Sequence, residues 1–329
     1  MPRIGPQPLA FGAGISPYGP VRWWRNLGLT IVVALAGCVQ TPPTPPAEAA
    51  EPATPFSSRG SDGGWGYLIE KLSHDGVPKA RIERVFLDAR LPAFGGLEFS
   101  IRPGESHALY RGFRSAAKID AARACHDENA EAFARAEQRF GVDGGVLAAI
   151  IFVESGCGQN TGRSMIFYRL ARLAMANEPD NLDRNLRRLA MTDGLLDEDK
   201  AGQVRRRARY LEETFYPEVK AMFEVAHRAH VDPLAMRGSG SGAFGFPQFL
   251  PSSYVKYAVD GNGDGRISLY DMPDAIASAA NYFKQKGWRS DLSEEQRRRV
   301  VWEYNRSTPY IDTILALASE IDTTALAQP

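Results

Sequence analysis

Cysteine is scarce in this sequence, with three among 329 residues, too few for a scaffold held by many disulfides. Net charge is missing altogether, because 39 Lys and Arg offset 39 Asp and Glu. That balance argues against nucleic acid as the main partner, since phosphate binding leans on a broad basic surface. No apolar run approaches the ~20 residues that a membrane-spanning helix requires. Alternation of the kind that builds strands is sparse, and there is no internal repeat. What remains is an ordinary globular composition, 44% hydrophobic and 24% charged, too apolar for a disordered chain. The length accommodates one large domain or two modest ones.

The amino end reads as an address. Leu27 to Ala36 is nearly continuously apolar and follows Arg22 and Arg25, which fits a secretory core segment better than a membrane span. It ends in Leu35-Ala36-Gly37-Cys38, which resembles the lipobox of bacterial lipoproteins. Residues 1–37 are thus expected to be a signal peptide and Cys38 the lipidated first residue. Val39 after the cysteine points to the outer membrane, with the protein anchored by acyl chains on the periplasmic side of a Gram-negative cell. Residues 38–56 form a proline-rich tether. Its fifteen residues from Thr41 to Pro55 reach on the order of 45 Å at ~3.1 Å each in extended polyproline geometry.

Beyond the tether the pattern is helical. Trp65, Leu68, Ile69 and Leu72, then Ile82, Val85 and Phe86, recur at three- and four-residue spacing, within an expected helical region over 57–114. One long helix is expected over Ala116–Phe140, broken at Gly141, with a new start near Asp143. Another should run from Arg205 to His230, with Leu211, Phe215, Val219, Met222 and Phe223 inward. Only Leu97–Ile101 and the vicinity of Ile267 suggest strands, so a mainly α protein with a little β structure follows.

The chemistry begins with Val146 to Val153, apolar on every face and therefore a helix surrounded by protein. Glu154 follows directly. A carboxyl there meets the negative end of the helix dipole and an apolar core, both of which raise its pKa. A carboxyl still protonated near neutral pH is what a general acid needs. The alternative is a surface glutamate at a helix end.

The run from Arg237 to Tyr254, RGSGSGAFGFPQFLPSSY, resembles the signature of the membrane-bound lytic transglycosylase B family, within the lysozyme-like superfamily. That family has Gly-Ala-x-Gly-x-x-Gln-Phe-x-Pro-Ser-Ser here and a Val-Glu-(Ser/Thr) at the catalytic helix end, matching Val153-Glu154-Ser155. The likeness continues through Asp274-Ala275-Ile276, Ala280-Asn281-Tyr282-Phe283, Gly287-Trp288 and Tyr304-Asn305-Arg306-Ser307. It implies an α+β lysozyme-like core over 115–329 that cuts the β-1,4 bond between N-acetylmuramic acid and N-acetylglucosamine of peptidoglycan and leaves a 1,6-anhydro end. By the same resemblance Glu154 is the single acid and base. Ser239, Phe246, Gln248, Tyr304 and Asn305 are expected to contact the glycan. The rival readings are a lysozyme-type hydrolase and a non-catalytic wall-binding lipoprotein.

Asp260 to Asp271, DGNGDGRISLYD, has the spacing of a single EF-hand-like calcium loop. Asp260, Asn262, Asp264, Ser268 and Asp271 offer side-chain oxygens, Arg266 its carbonyl, and Gly265 the sharp turn. Aspartate replaces the usual glutamate at the last position. The family also carries one such site, which implies structural Ca2+. Gly240-x-Gly242-x-x-Gly245 satisfies the dinucleotide fingerprint, but no strand precedes it and Pro247 interrupts a following helix, so it is rejected. Those glycines are instead expected to let backbone approach a sugar chain. His227 and His230 have metal-pair spacing without a further ligand. Once Cys38 is lipidated, Cys125 and Cys157 are an even pair in an oxidising compartment and are expected to be bridged; two buried thiols are the alternative.

Overall fold

A computed structural model describes residues 62–101, 108–193 and 197–325, so the leader, Cys38 and the tether lie outside the described residues. Apolar spacing drives the first two helices, α1 (Gly66–His74) and α2 (Lys79–Phe86), whose stripes Leu68, Leu72, Ile82, Val85 and Phe86 are buried. Trp65 seals them, its ring 5.3 Å from Phe94 and 5.9 Å from Phe86.

The segment 97–101 is not a strand. The N–H groups of Leu97 and Phe99 donate to the side-chain oxygens of Asn181 and Asn185, at 2.7 and 3.3 Å. Asn185 and Arg188 donate back to the carbonyls of Leu97 and Phe99, at 2.8 and 3.0 Å. A helix face thus supplies the bonds that a neighbouring strand would have made.

The single helix expected over 116–140 is two. After the short α3 (Ala108–Arg111) come α4 (Ala116–Glu128) and α5 (Ala130–Phe140). Asn129 separates them, its side chain turned back to donate to the Cys125 carbonyl at 2.9 Å; asparagine competes in this way with the helical ladder. Gly141 ends α5 as expected. Next, α6 (Gly144–Ser155) is buried at every residue from Gly144 to Val153, because helices enclose it on all sides.

The rest of the chain builds that enclosure. In order come α7 (Ile166–Ala174), α8 (Pro179–Asp193), α9 (Glu198–Arg228), α10 (Pro251–Tyr257), α11 (Met272–Gln285), α12 (Glu294–Tyr304) and α13 (Thr308–Ala325). Helices α4, α5, α11 and α13 pack on α6, with α13 running along it. Helix α9 starts earlier than Arg205, at Glu198, because Asp197 caps it by accepting from the Lys200 N–H at 2.7 Å. The β structure among the described residues is one antiparallel ribbon, β1 (Ser164–Met165) with β2 (Arg237–Gly238), and an isolated antiparallel bridge between Phe244 and Phe249. Ile267 is in no strand; its carbonyl accepts from the Tyr254 hydroxyl at 3.1 Å. Among the described residues no helix is long and apolar enough to cross a membrane.

Cys125 and Cys157 are bonded, with 5.9 Å between their Cα atoms and 32 positions between them in sequence. The bridge ties α4 to the turn leaving α6. Closing a loop of that length stabilises by roughly 3–4 kcal/mol in the chain-entropy picture.

Candidate active site

Glu154 is the penultimate residue of α6, and everything around that helix end is fixed. Gly156 closes the helix through its N–H to the Phe152 carbonyl. Ser155 donates to Ile151 O and accepts from the Gly158 N–H, each at 3.0 Å. The disulfide pins the next residue of the turn. From α13, the Tyr310 hydroxyl donates to Glu154 Oε1 at 2.8 Å. Tyr310 and Tyr304 both titrate well above the usual phenol range, mainly through burial and then through the negative charge of Glu154. Both phenols therefore keep their protons at neutral pH, and Tyr310 acts on Glu154 as a donor.

Tyr304 anchors an aromatic column. Its ring is stacked with Phe283 at 5.4 Å and Tyr310 at 6.5 Å, and edge-on to Tyr282 at 5.0 Å. Its hydroxyl donates to the Pro247 carbonyl, so the column reaches the Arg237–Tyr254 segment. There Phe244 and Phe249 exchange backbone bonds at 2.9 and 3.0 Å, closing a tight loop over Gly245, Phe246, Pro247 and Gln248. Gln248 is held in the left-handed region at φ 51°. Such backbone costs a non-glycine residue of order 1–3 kcal/mol and persists where the surroundings enforce it. Its Nε2 supplies part of that hold, donating to Gly245 O at 2.8 Å and Thr161 O at 3.1 Å.

Between these elements lies a cleft of about 230 Å³, lined by Glu154, Gln248, Tyr304, Tyr282, Glu218 and Glu303 together with residues 249, 250, 252 and 253. The three carboxyls have different surroundings. Both oxygens of Glu218 accept from Ser252, one from its hydroxyl at 2.6 Å and one from its N–H at 2.8 Å, at the start of α10. Burial nevertheless raises the Glu218 carboxyl above its ordinary range, against the pull of those bonds. Glu303 lies 3.6 Å from Lys286 at the rim. Glu154 stands at the helix end against Tyr310.

Of the residues singled out in the sequence, Glu154, Gln248 and Tyr304 meet in the cleft, whereas Ser239, Phe246 and Asn305 do not line it. Ser239 is buried, and its Oγ accepts from the N–H groups of Ser241 and Ala243 at 3.2 and 3.1 Å, which makes it the peg of its own turn. Phe246 lies against Gly158, so near that a Cβ there would sit 2.8 Å from its ring. Asn305 is buried at the end of α12. The glycines also differ from expectation. A Cβ on Gly242 or Gly245, both at positive φ, would lie 2.2 Å from the Leu170 side chain or 2.3 Å from that of Leu269. Their missing side chains serve internal packing. Tyr310 and Glu218 were not singled out, and Tyr282 was named only within the Ala280–Phe283 likeness, without a role. Glu218 carries a signal of its own, as a charge placed on the inward stripe of Phe215, Val219 and Met222.

The loop over 260–271 is held by the buried Asp274, which accepts from the N–H groups of Gly261 and Ser268 at 2.8 and 2.7 Å. Asp260 accepts from those of Gly263 and Gly265 at 2.5 and 2.8 Å, and these bonds hold its carboxyl below the usual range. The Asn262 amide nitrogen lies 3.4 Å from an Asp264 oxygen and 3.5 Å from an Asp271 oxygen, so the donor side chains turn toward one another. Burial raises the Asp274 carboxyl, and the charges of Asp271 and Asp260 raise it further. Among the described residues no three His, Cys, Asp or Glu side chains converge by themselves as metal ligands. Asn262, whose side-chain oxygen accepts from the Asp264 N–H at 2.9 Å, and the Arg266 carbonyl are the other oxygens of the expected set, a mixture of donor types that suits a hard cation. His227 and His230 gain no third ligand.

Residues 64–297 match the family described as the transglycosylase SLT domain. The membrane-bound lytic murein transglycosylase B of Escherichia coli (strain K12) is 38% identical over 158 residues, covering 48% of this chain and 35% of that relative. The chain thus matches about a third of the curated relative's length. The soluble lytic transglycosylase SltB1 of Pseudomonas aeruginosa shares the fold at a TM-score of 0.60, with 24% identity over 79% of this chain and 99% of that one. The Escherichia coli lytic transglycosylase Slt35, in complex with calcium, does so at 0.58, with 22% identity over 80% and 94%.

The Tyr310 contact is testable by pH. In the folded protein its phenol resists ionisation, whereas the unfolded chain releases that proton near pH ~10, so stability is lost as pH climbs through that value. Tyr310→Phe should cost about 1.5–3 kcal/mol in urea unfolding at neutral pH, the worth of a hydrogen bond to a charged group. The gap from wild type should narrow above about pH 10, because the variant lacks the titrating group. A gap that widens would show that Tyr310 is not held protonated.

Proposed function

The chain belongs to the transglycosylase SLT domain family, and from that premise we propose that it is a lytic transglycosylase of peptidoglycan, cutting between N-acetylmuramic acid and N-acetylglucosamine. The observation that carries this reading is the placement of Glu154. A carboxyl on a rigid, fully enclosed helix faces a cleft beside Gln248 and Tyr304, with a protonated phenol on one oxygen.

Glu154, in its acid form, gives its proton to the glycosidic oxygen as the bond from muramyl C1 breaks. The resulting carboxylate then takes the proton of the C6 hydroxyl as that oxygen closes onto C1. One bond breaks, one forms, the acid is regenerated, and the muramyl end leaves as a 1,6-anhydro sugar without water. An internal nucleophile is already near the reacting carbon, which removes most of the entropy cost of bringing in a second reactant. General acid–base transfer of this kind contributes on the order of 10²–10⁴ in rate. Glycosidases that add water use a second carboxylate as nucleophile or base. Here the two other carboxyls of the lining are already engaged, Glu218 with both oxygens on Ser252 and Glu303 beside Lys286, which supports the single-acid route over hydrolysis. Gln248 and Tyr304 serve as cleft-wall contacts for the glycan, while Ser239, Phe246 and Asn305 act behind them by holding the loop and the end of α12.

We also assign the loop over 260–271 to structural Ca2+, held by Asp260, Asn262, Asp264, Asp271 and the Arg266 carbonyl; a bound ion would offset the mutual repulsion of these carboxylates. The calcium complex of Slt35 supports this reading. A lipid on Cys38, with the proline-rich tether as leash, would place the enzyme on the periplasmic side of the outer membrane. The membrane-bound name of the Escherichia coli relative is consistent with that.

Digestion of purified sacculi tests the reaction. Wild type should release muropeptides lighter by one water than hydrolysis products, and Glu154→Gln should lower turnover by at least about 10²-fold with the thermal midpoint little changed. Hydrated reducing ends from wild type, or full activity in the variant, would refute the assignment. For the loop, Ca2+ at about 100 times its dissociation constant should stabilise by about 2.7 kcal/mol. Asp260→Asn combined with Asp264→Asn should abolish that gain in a thermal melt; an identical gain in the double variant would remove the site.

A further inference from the structure

A second cleft lies away from the Glu154 site, between α2 and the carboxyl end of α9. It has a volume of about 520 Å³ and shares no lining residue with the catalytic cleft. Its floor is apolar, made by Val85, Phe223 and Ala226, with the 40% exposed Val231 at the edge. Its rim carries Arg81 and Arg84 from α2 and Arg90 just beyond, with the imidazoles of His227 and His230 from the end of α9 as further hydrogen-bonding groups.

Asp232 also lines the cleft, but it and the acids nearby are already matched. Arg90 pairs with Asp88 at 2.6 Å and with Asp232 at 2.5 Å, and Glu224 pairs with Arg228 at 2.7 Å. The Glu224 carboxyl is held low chiefly by Arg228, with His227 and Arg81 as more distant charges. Arg81 and Arg84 themselves form no ion pair or side-chain hydrogen bond among the described residues. Two guanidinium groups and two imidazoles therefore face one concavity without a carboxylate committed to them. The backbone shape is also enforced. His230 is held at φ 53° by the chain reversal after α9, where the Val231 N–H donates to the Ala226 carbonyl at 3.1 Å. That costs a non-glycine residue energy that glycine would avoid.

We infer that this cleft binds a phosphate group carried on a partly apolar molecule. A phosphate offers several acceptor oxygens in a geometry that matches the arginine fork, so both guanidiniums and an imidazole can bond one group. A single carboxylate satisfies only one fork. The apolar floor accepts whatever the phosphate is attached to. The same chemistry is presented by an anionic lipid headgroup and by a soluble phosphate ester, and the two are distinguished by experiment. The inference is independent of the wall-cleaving activity, since none of these residues belongs to the Glu154 cleft.

The test uses the full chain and three probes: inorganic pyrophosphate, citrate, and vesicles of phosphatidylglycerol compared with phosphatidylcholine. Calorimetric titration should show pyrophosphate binding that weakens about tenfold or more in Arg81→Gln combined with Arg84→Gln, as expected when charge-assisted bonds are lost. His230→Gly should also weaken it while leaving the thermal midpoint equal or higher, which separates a binding role from a folding role. Sacculus digestion should be unchanged in all these variants. Binding to phosphatidylglycerol vesicles that falls in the arginine variant identifies the lipid headgroup as the source; pyrophosphate binding without it identifies a soluble ester. Pyrophosphate affinity equal in wild type and the arginine variant, or citrate bound as tightly as pyrophosphate, would overturn the inference.

Discussion

The bond from the Tyr310 hydroxyl to the Glu154 carboxylate, 2.8 Å long, is the contact on which the site depends. It joins the two helices that run together through the middle of the protein. Helix α6, apolar on every face from Val146 to Val153, brings the carboxyl to its end. Helix α13 supplies the phenol that can meet it there. Because Tyr310 is buried and protonated, it fixes one oxygen of a carboxyl that also lines the cleft. Removing water from a site in this way strengthens the remaining dipoles and charges within it.

Around that pair the chain uses backbone constraint more than side-chain charge. The disulfide and Gly156 hold the exit of α6. The Phe244–Phe249 loop is forced into shape by Gly245 within it and Gly242 just before it, by the Ser239 peg and by the left-handed Gln248. The aromatic column carries that loop, through the bond from Tyr304 to Pro247, onto the same α13 whose Tyr310 meets Glu154. Glu218 fixes the next turn by capping α10. The cleft is thus the meeting place of elements that hold one another in place without a ligand, the kind of preorganisation that positioned acid–base chemistry requires.

How much of this could be read in the sequence varied with the type of signal. The enclosed helix was legible because nothing but an enclosed helix explains eight consecutive apolar residues, and the glutamate at its end was conspicuous for the same reason. Gln248 was legible as part of a long signature. The break at Asn129 was not, since it carries neither glycine nor proline and depends on an amide turning back to Cys125. The extended segment at Leu97 looked like a strand because its residues alternate, yet its bonds come from Asn181 and Asn185, more than eighty positions away. Tyr310 was hidden because one tyrosine on a helix resembles any other core aromatic; only the three-dimensional pairing gives it a role. Ser239 and the nearby glycines belonged to the signature, and their positions reveal that a shared motif can mark the scaffold of a site as well as its surface.

The central claim is that one glutamate both gives and takes the proton, so that no water enters the product. The direct measurement is digestion of peptidoglycan in water enriched in the heavy oxygen isotope, with the new muramyl ends examined by mass spectrometry. Ends formed by internal closure of the C6 oxygen carry no label, which is the result predicted here. Label in those ends at the enrichment of the solvent would mean that water attacks C1, and would contradict the account.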